Sequence, residues 1–118
     1  MQLKLSTRNL DGALVVDCVG RIVFGEETAY LRDAVKKLIA EKQNVVLDLS
    51  GVNYIDSGGL GTLVALYTTA RNSGSSIKLA SLTQRVGDLL QITKLVTVFD
   101  VYETAEEAAA AFHKGAAA

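Results

Sequence analysis

The sequence predicts an α/β domain with one mixed, mostly parallel β-sheet, an N-terminal hairpin and about four packed α-helices. Three observations predict it. The apolar period switches between two residues and 3.6 residues along the chain, as strands and helices require. The second half alternates strand and helix patterns joined by short links, which demands right-handed crossovers and parallel strands. A length of 118 residues leaves room for one core. With 49% hydrophobic and 21% charged residues, the composition is that of a folded domain rather than a disordered chain. Residues 1–118 are accordingly read as a single domain, with 113–118 as a frayed tail.

Residues 2–7 alternate weakly and read as an edge strand. Asp11-Gly12 is a tight-turn dipeptide, and Leu14, Val16 and Cys18 then share one face of a second strand, so the pair reads as a β-hairpin. From Glu26 the period becomes helical. Leu31, Ala34, Val35, Leu38 and Ile39 form one apolar stripe, and Glu26 and Glu27 suit the positive end of that helix. Val45-Val46-Leu47 with Leu49 is a short, nearly continuous apolar run that fits a central strand covered on both faces.

Ser50 to Gly59 reads as a loop, and a second helical stripe follows at Leu60, Leu63, Val64 and Tyr67. Asn72-Ser73-Gly74-Ser75 stops that helix. Ile77 and Leu79 mark the next strand. Thr83 can cap a third helix with Val86, Leu89 and Leu90 inside. Val96, Val98, Phe99 and Val101 read as a final strand. Thr104 with Glu107 forms a capping box for a last helix with Ala105, Ala108, Ala109 and Phe112 on its inner stripe.

Composition excludes several functions. A net charge of −1 with both signs interspersed carries no footprint for nucleic acid or an anionic membrane. Cys18 is the only cysteine and His113 the only histidine, so neither a disulfide nor a multi-cysteine or zinc site is expected. Cys18 within an apolar strand reads as a small buried hydrophobe. No signal-peptide stretch follows Met1, and no window approaches the roughly 18 to 20 apolar residues of a membrane span. The expectation is a cytoplasmic protein, not an enzyme, with no metal, no catalytic residues and no cofactor.

One loop carries the functional interest. Asp56-Ser57-Gly58-Gly59 precedes a helix beyond the carboxyl end of a parallel strand, where open α/β sheets place their sites. Asp and Ser side chains accept bonds from the free N–H groups of a helix start, and two glycines let the backbone approach another surface closely. Taken alone, such a tetrapeptide is more often a capping turn than a regulated site. As a nucleotide motif it is weak, because Gly58-Gly59-Leu60-Gly61 has neither dinucleotide-binding nor P-loop spacing.

The stretch Val45 to Leu66, VVLDLSGVNYIDSGGLGTLVAL, closely resembles the core of the STAS family, the domain shared by sulfate transporters and anti-sigma factor antagonists. That family has an apolar strand ending in Asp-Leu-Ser, a loop with Tyr-Ile-Asp-Ser, a small residue, Gly-Leu and a helix. The resemblance extends to Gly20-Arg21, the later Gly-Ser turn and the Leu95–Phe99 segment, and so covers nearly the whole chain. It implies a STAS-like fold and an anti-sigma factor antagonist, a regulator of transcription. By resemblance Ser57 is the phosphoacceptor, phosphorylated by an anti-sigma factor that is itself an ATP-dependent serine kinase. The unphosphorylated form would bind that factor and release a sigma factor, and a metal-dependent serine/threonine phosphatase would reset the phosphoprotein.

The same resemblance implies partner contacts at Asp56, Ser57, Gly58 and Gly59 and at the first turns of the helix, Leu60 and Thr62. Two positions depart from the family. Val23 stands where Asp is frequent, which weakens the carry-over of polar contacts to that corner. Gly58 replaces the commoner Ser or Ala, leaving one phosphoacceptor in the loop. The alternative reading is a STAS scaffold, an interaction module of a signalling or transport complex that works without phosphorylation.

Overall fold

In the computed structural model, which describes the backbone of residues 3–117 and the side chains of residues 3–113, apolar strand residues sort by parity onto the two faces of one sheet. Strands β1 (Leu3–Leu10) and β2 (Ala13–Ile22) pair as an antiparallel hairpin across Asp11-Gly12. Helix α1 (Glu26–Ala40) leads to β3 (Asn44–Ile55), and α2 (Ser57–Asn72) leads to β4 (Ser76–Ala80). Helix α3 (Gln84–Ile92), a 3-10 turn at Leu95–Thr97, β5 (Val101–Tyr102) and α4 (Ala105–Ala117) complete the chain. The strand order is β1-β2-β3-β4-β5, and every pair after the first is parallel.

Val16, Cys18, Val45, Leu47, Leu49, Ile77 and Leu79 point toward α1, α2 and α3, whose Leu31, Val35, Leu63, Leu66, Val86 and Leu90 close the larger core. Ala13, Val15, Val46 and Ala80 point the other way, against Ala105, Ala108 and Ala109 of α4. Small residues line that second interface, so α4 lies close to the sheet. Burial on both faces explains why β3 carries an unbroken apolar run instead of alternation. The Thr83 and Thr104 side chains accept from the Val86 and Glu107 N–H groups, which starts α3 and α4 where the sequence places their caps.

Two segments differ from expectation. The region 50–55, read as loop from its Ser, Gly and Asn, is the second half of β3. It finds a partner that local chemistry does not announce, pairing with β2 through Val19↔Gly51, Arg21↔Tyr54 and Ile22↔Ile55 after register shifts. The final strand, expected from Val96 to Val101, is reduced to Val101–Tyr102. Lys94 adopts a left-handed conformation (φ 64°), and Val98 and Phe99 then donate to the Leu95 carbonyl in a tight turn. Phe99 instead plugs the core edge-to-face on Tyr67, with ring centroids 5.4 Å apart. Of the region read as a frayed tail, the side chains of 114–117 and all of residue 118 lie outside the described residues, as does Gln2 of the expected first strand.

Cys18 is 1% exposed, and burial pushes its thiol up to about 12, so it is protonated and inert at neutral pH. His113 lies across the hairpin turn, its Nε2 2.6 Å from the Asp11 carbonyl oxygen. Among the described residues no helix is long and apolar enough to cross a membrane.

Leu79 is fully buried at the centre of the larger core. Leu79→Ala is expected to cost about 3 kcal/mol of unfolding free energy, read from the urea midpoint at constant slope.

Candidate functional site: the end of β3 and the start of α2

Parallel pairing of β2 with β3 as far as Ile22↔Ile55 carries the two strand ends out of the sheet side by side. The β2–α1 link (Val23-Phe24-Gly25) and the β3–α2 junction at Asp56 therefore lie against each other. Asp56 joins them. Its backbone N–H donates to the Ile22 carbonyl (3.3 Å), and both carboxylate oxygens accept from the Phe24 N–H (3.2 and 3.1 Å). One of those oxygens also accepts from the Gly59 N–H at 2.7 Å, making Asp56 the N-cap of α2.

The two glycines serve the same junction. A β-carbon on Gly59 would clash with the Ile22 carbonyl oxygen, and one on Gly58 would lie 2.6 Å from Cβ of Phe24. The surface that the sequence expects these glycines to approach is thus the protein's own β2–α1 link. Packing this close leaves Gly59 buried and Gly58 half-buried, with the Ser57 side chain exposed at the first position of α2.

The remaining expected contact residues turn inward. Leu60 is 8% exposed and belongs to the larger core; Thr62 is buried and its hydroxyl donates to the Gly58 carbonyl at 2.9 Å. Leu60 and Leu63, three residues apart on α2, share the face packed in the larger core, and Gly61 faces solvent. Of the six residues named from the sequence, Ser57 alone is exposed; Asp56 and Gly58 are partly covered, and Gly59, Leu60 and Thr62 support them.

Three exposed apolar residues were not among those the sequence assigned to the site. Phe24 is 80% exposed, Ile92 78% and Tyr54 42%. A lone aromatic between Val23 and Gly25 is a weak signal in sequence, and Ile92, three residues after Leu89, would be assigned to the inner face by period alone. Isolated exposed apolar residues are ordinary; of these three, Phe24 packs on Gly58, next to the exposed Ser57.

The electrostatics centre on Asp56. Hydrogen bonds from the Gly59 and Phe24 N–H groups, in that order, hold its carboxyl below the usual carboxylate range. A lowered folded-state value means that Asp56 stabilises the fold above about pH 4 and that this contribution is lost as acid protonates it.

An α/β domain that presents one hydroxyl and two aromatic rings at the carboxyl end of its sheet belongs, as a class, with regulatory domains that act by offering a surface. Comparison with known proteins agrees. The STAS domain family model matches residues 4–108. An anti-sigma-B factor antagonist of Bacillus subtilis (strain 168) is 27% identical over 107 residues, covering 90% of this chain and 96% of that protein. Its counterpart from Listeria monocytogenes serovar 1/2a is 33% identical over 90 residues, covering 72% and 79%. The crystal structure of an anti-sigma factor antagonist from Mycobacterium paratuberculosis superposes with a TM-score of 0.79 at 26% identity over 92% of each chain. The chain belongs to the STAS domain family. Within that family it is of the anti-sigma factor antagonist type, whose members are non-enzymatic regulatory proteins.

Gly59→Ala is expected to cost 3 kcal/mol or more, on the order of a severe core defect. Gly61→Ala, where a β-carbon meets open space inside the helix, should stabilise by about 0.5–1 kcal/mol. Thermal denaturation of the two variants checks the contrast. For Asp56→Asn the deficit against the parent protein should be present at pH 7 and close as the pH falls below about 4, read from urea midpoints across pH.

Proposed function

We propose that this protein is an anti-sigma factor antagonist whose unphosphorylated form binds an anti-sigma factor with ATP-dependent serine kinase activity and so releases a sigma factor. Phosphorylation of Ser57 switches that binding off, and a metal-dependent serine/threonine phosphatase restores it. The single observation that carries the reading is Ser57, exposed at the first turn of α2 on a junction that Asp56 and Gly59 hold rigid.

Exposure gives a kinase access to the hydroxyl, and rigidity turns a local charge into an interface signal. A phosphate adds about −1.5 to −2 charges and three acceptor oxygens. At the first position of a helix it is favoured by the dipole, by roughly 0.3–1 kcal/mol, so the scaffold survives the modification. The cost falls on docking. For a partner carboxylate about 6 Å away at an effective dielectric near 20, repulsion is about 3 kcal/mol per unit charge. That is on the order of a hundredfold in affinity. Gly59, Leu60 and Thr62 act from beneath, by setting the height at which Ser57 stands.

Ser57→Ala is expected to bind the kinase constitutively, and Ser57→Asp to lose binding by tenfold or more with an unchanged circular dichroism spectrum. Incubation with kinase and ATP should add one phosphate to the parent protein and none to Ser57→Ala, by intact mass. Equal binding by all three proteins, with no added mass, would instead mark a scaffold that works without phosphorylation.

A further inference from the structure

The end of β3 that leads to Ser57 also borders a feature that the serine's chemistry does not use. Beyond Asp48, β3 runs past the end of β4, and α3 covers the strand edge left open there. The Thr83 hydroxyl donates to the Val52 carbonyl (3.1 Å), and the Arg85 guanidinium reaches the Asn53 carbonyl (3.5 Å). Between this edge and α3 lies a groove of about 640 Å³, with Tyr54, Ile55, Leu89 and Ile92 as apolar walls and Arg85 and Asp88 at its rim. Tyr54 and Arg85 also line a second recess of about 310 Å³, together with Arg21 and Asn53. Arg85 thus lines both the apolar groove and the recess that holds Arg21, and Asp88 of α3 also lines the groove.

We propose that this groove is a second docking element, occupied by an amphipathic helix of the protein partner whose apolar stripe lies on Leu89, Ile92 and Tyr54 and whose acidic residues face Arg21 and Arg85. Three features select that occupant. The apolar walls require an apolar stripe, since Ile92 and Tyr54 are among the most exposed large hydrophobic residues of the chain. The paired guanidinium groups select carboxylates on the flank of that stripe. The backbone selects a helix over an extended strand. On one side Tyr54 and Ile55 pair with Arg21 and Ile22 of β2, and on the other the Val52 and Asn53 carbonyls are taken by α3 side chains. A strand would find no ladder to join, whereas a helix satisfies its own backbone.

This inference deepens the proposed function and rests on it for the identity of the partner. Ile55, which lines the groove, lies two residues from Ser57 in the chain, so a partner held here reaches the same end of the sheet.

The test uses the full chain and two designed 14-residue amphipathic helices with the same leucine stripe, one flanked by glutamates and one by lysines. Binding is followed by two-dimensional amide NMR titration. The expected result is at least tenfold tighter binding of the glutamate peptide, with shifts centred on Tyr54, Arg85, Leu89 and Ile92. Ile92→Ser should weaken both peptides, and the Arg21→Glu, Arg85→Glu double variant should reverse the preference; all three positions are exposed, so the fold is retained. Absence of binding, equal affinity for the two peptides, or shifts elsewhere overturns the proposal. So does concentration-dependent self-association through the same residues, which would make a second copy the occupant. The switch is read separately by the kinase pull-down: if Ser57→Asp loses the kinase while Ile92→Ser and the double variant keep it, the groove falls and the switch stands. If Ser57→Asp keeps the kinase while the double variant loses it, the groove stands and the switch falls.

Discussion

One carboxylate holds the functional end of this molecule together. Asp56 accepts from Phe24 on the β2–α1 link and from Gly59 in the first turn of α2, while its own N–H donates to Ile22. Two segments distant in sequence, the end of β2 with its link to α1 and the β3–α2 junction, are joined by one residue. Charge-assisted bonds to backbone N–H groups are among the stronger hydrogen bonds in proteins. Because the acceptor is also a helix cap, the orientation of α2 and the height of Ser57 depend on it together.

The rest of the fold can be understood as what brings Ile22 and Ile55 to the same level. The β2–β3 pairing is the longest parallel ladder in the sheet, and its register shifts let the two strands continue together past the end of β4. Close contact at the junction then demands residues without side chains, which Gly58 and Gly59 provide. Burial of the alanine face of α4 on one side, and of the leucine and valine faces of α1 to α3 on the other, leaves the carboxyl end of β3 free of covering helix except at α3. The surface made this way has a rigid floor, an exposed hydroxyl and the exposed Phe24 ring packed on Gly58.

Much of this was readable along the chain. The hairpin at Asp11-Gly12, the four helices and the caps at Thr83 and Thr104 all follow from local chemistry: turn dipeptides, one-sided stripes and hydroxyls placed before apolar runs. Ser57 was singled out because the surrounding 22 residues resemble a known family core, since the tetrapeptide by itself reads more often as a capping turn. The inward turn of Leu60 and Thr62 was not legible from the motif, because a motif names positions without saying which way each side chain leaves the helix. Nor was the Phe24, Tyr54 and Ile92 surface, since an apolar residue in sequence carries no mark of whether another element covers it.

Local rules therefore set what depends on neighbours in the chain: the order of elements, their caps, the two-faced burial of β3 and the presence of one displayed hydroxyl. Contacts between distant segments settled the remainder. Pairing with β2 turned Ser50–Ile55 from apparent loop into strand, and a left-handed Lys94 with a core-seeking Phe99 shortened β5 to two residues. In each case the free energy that decides comes from ladder bonds and burial supplied by residues tens of positions away. No window of the sequence contains both partners.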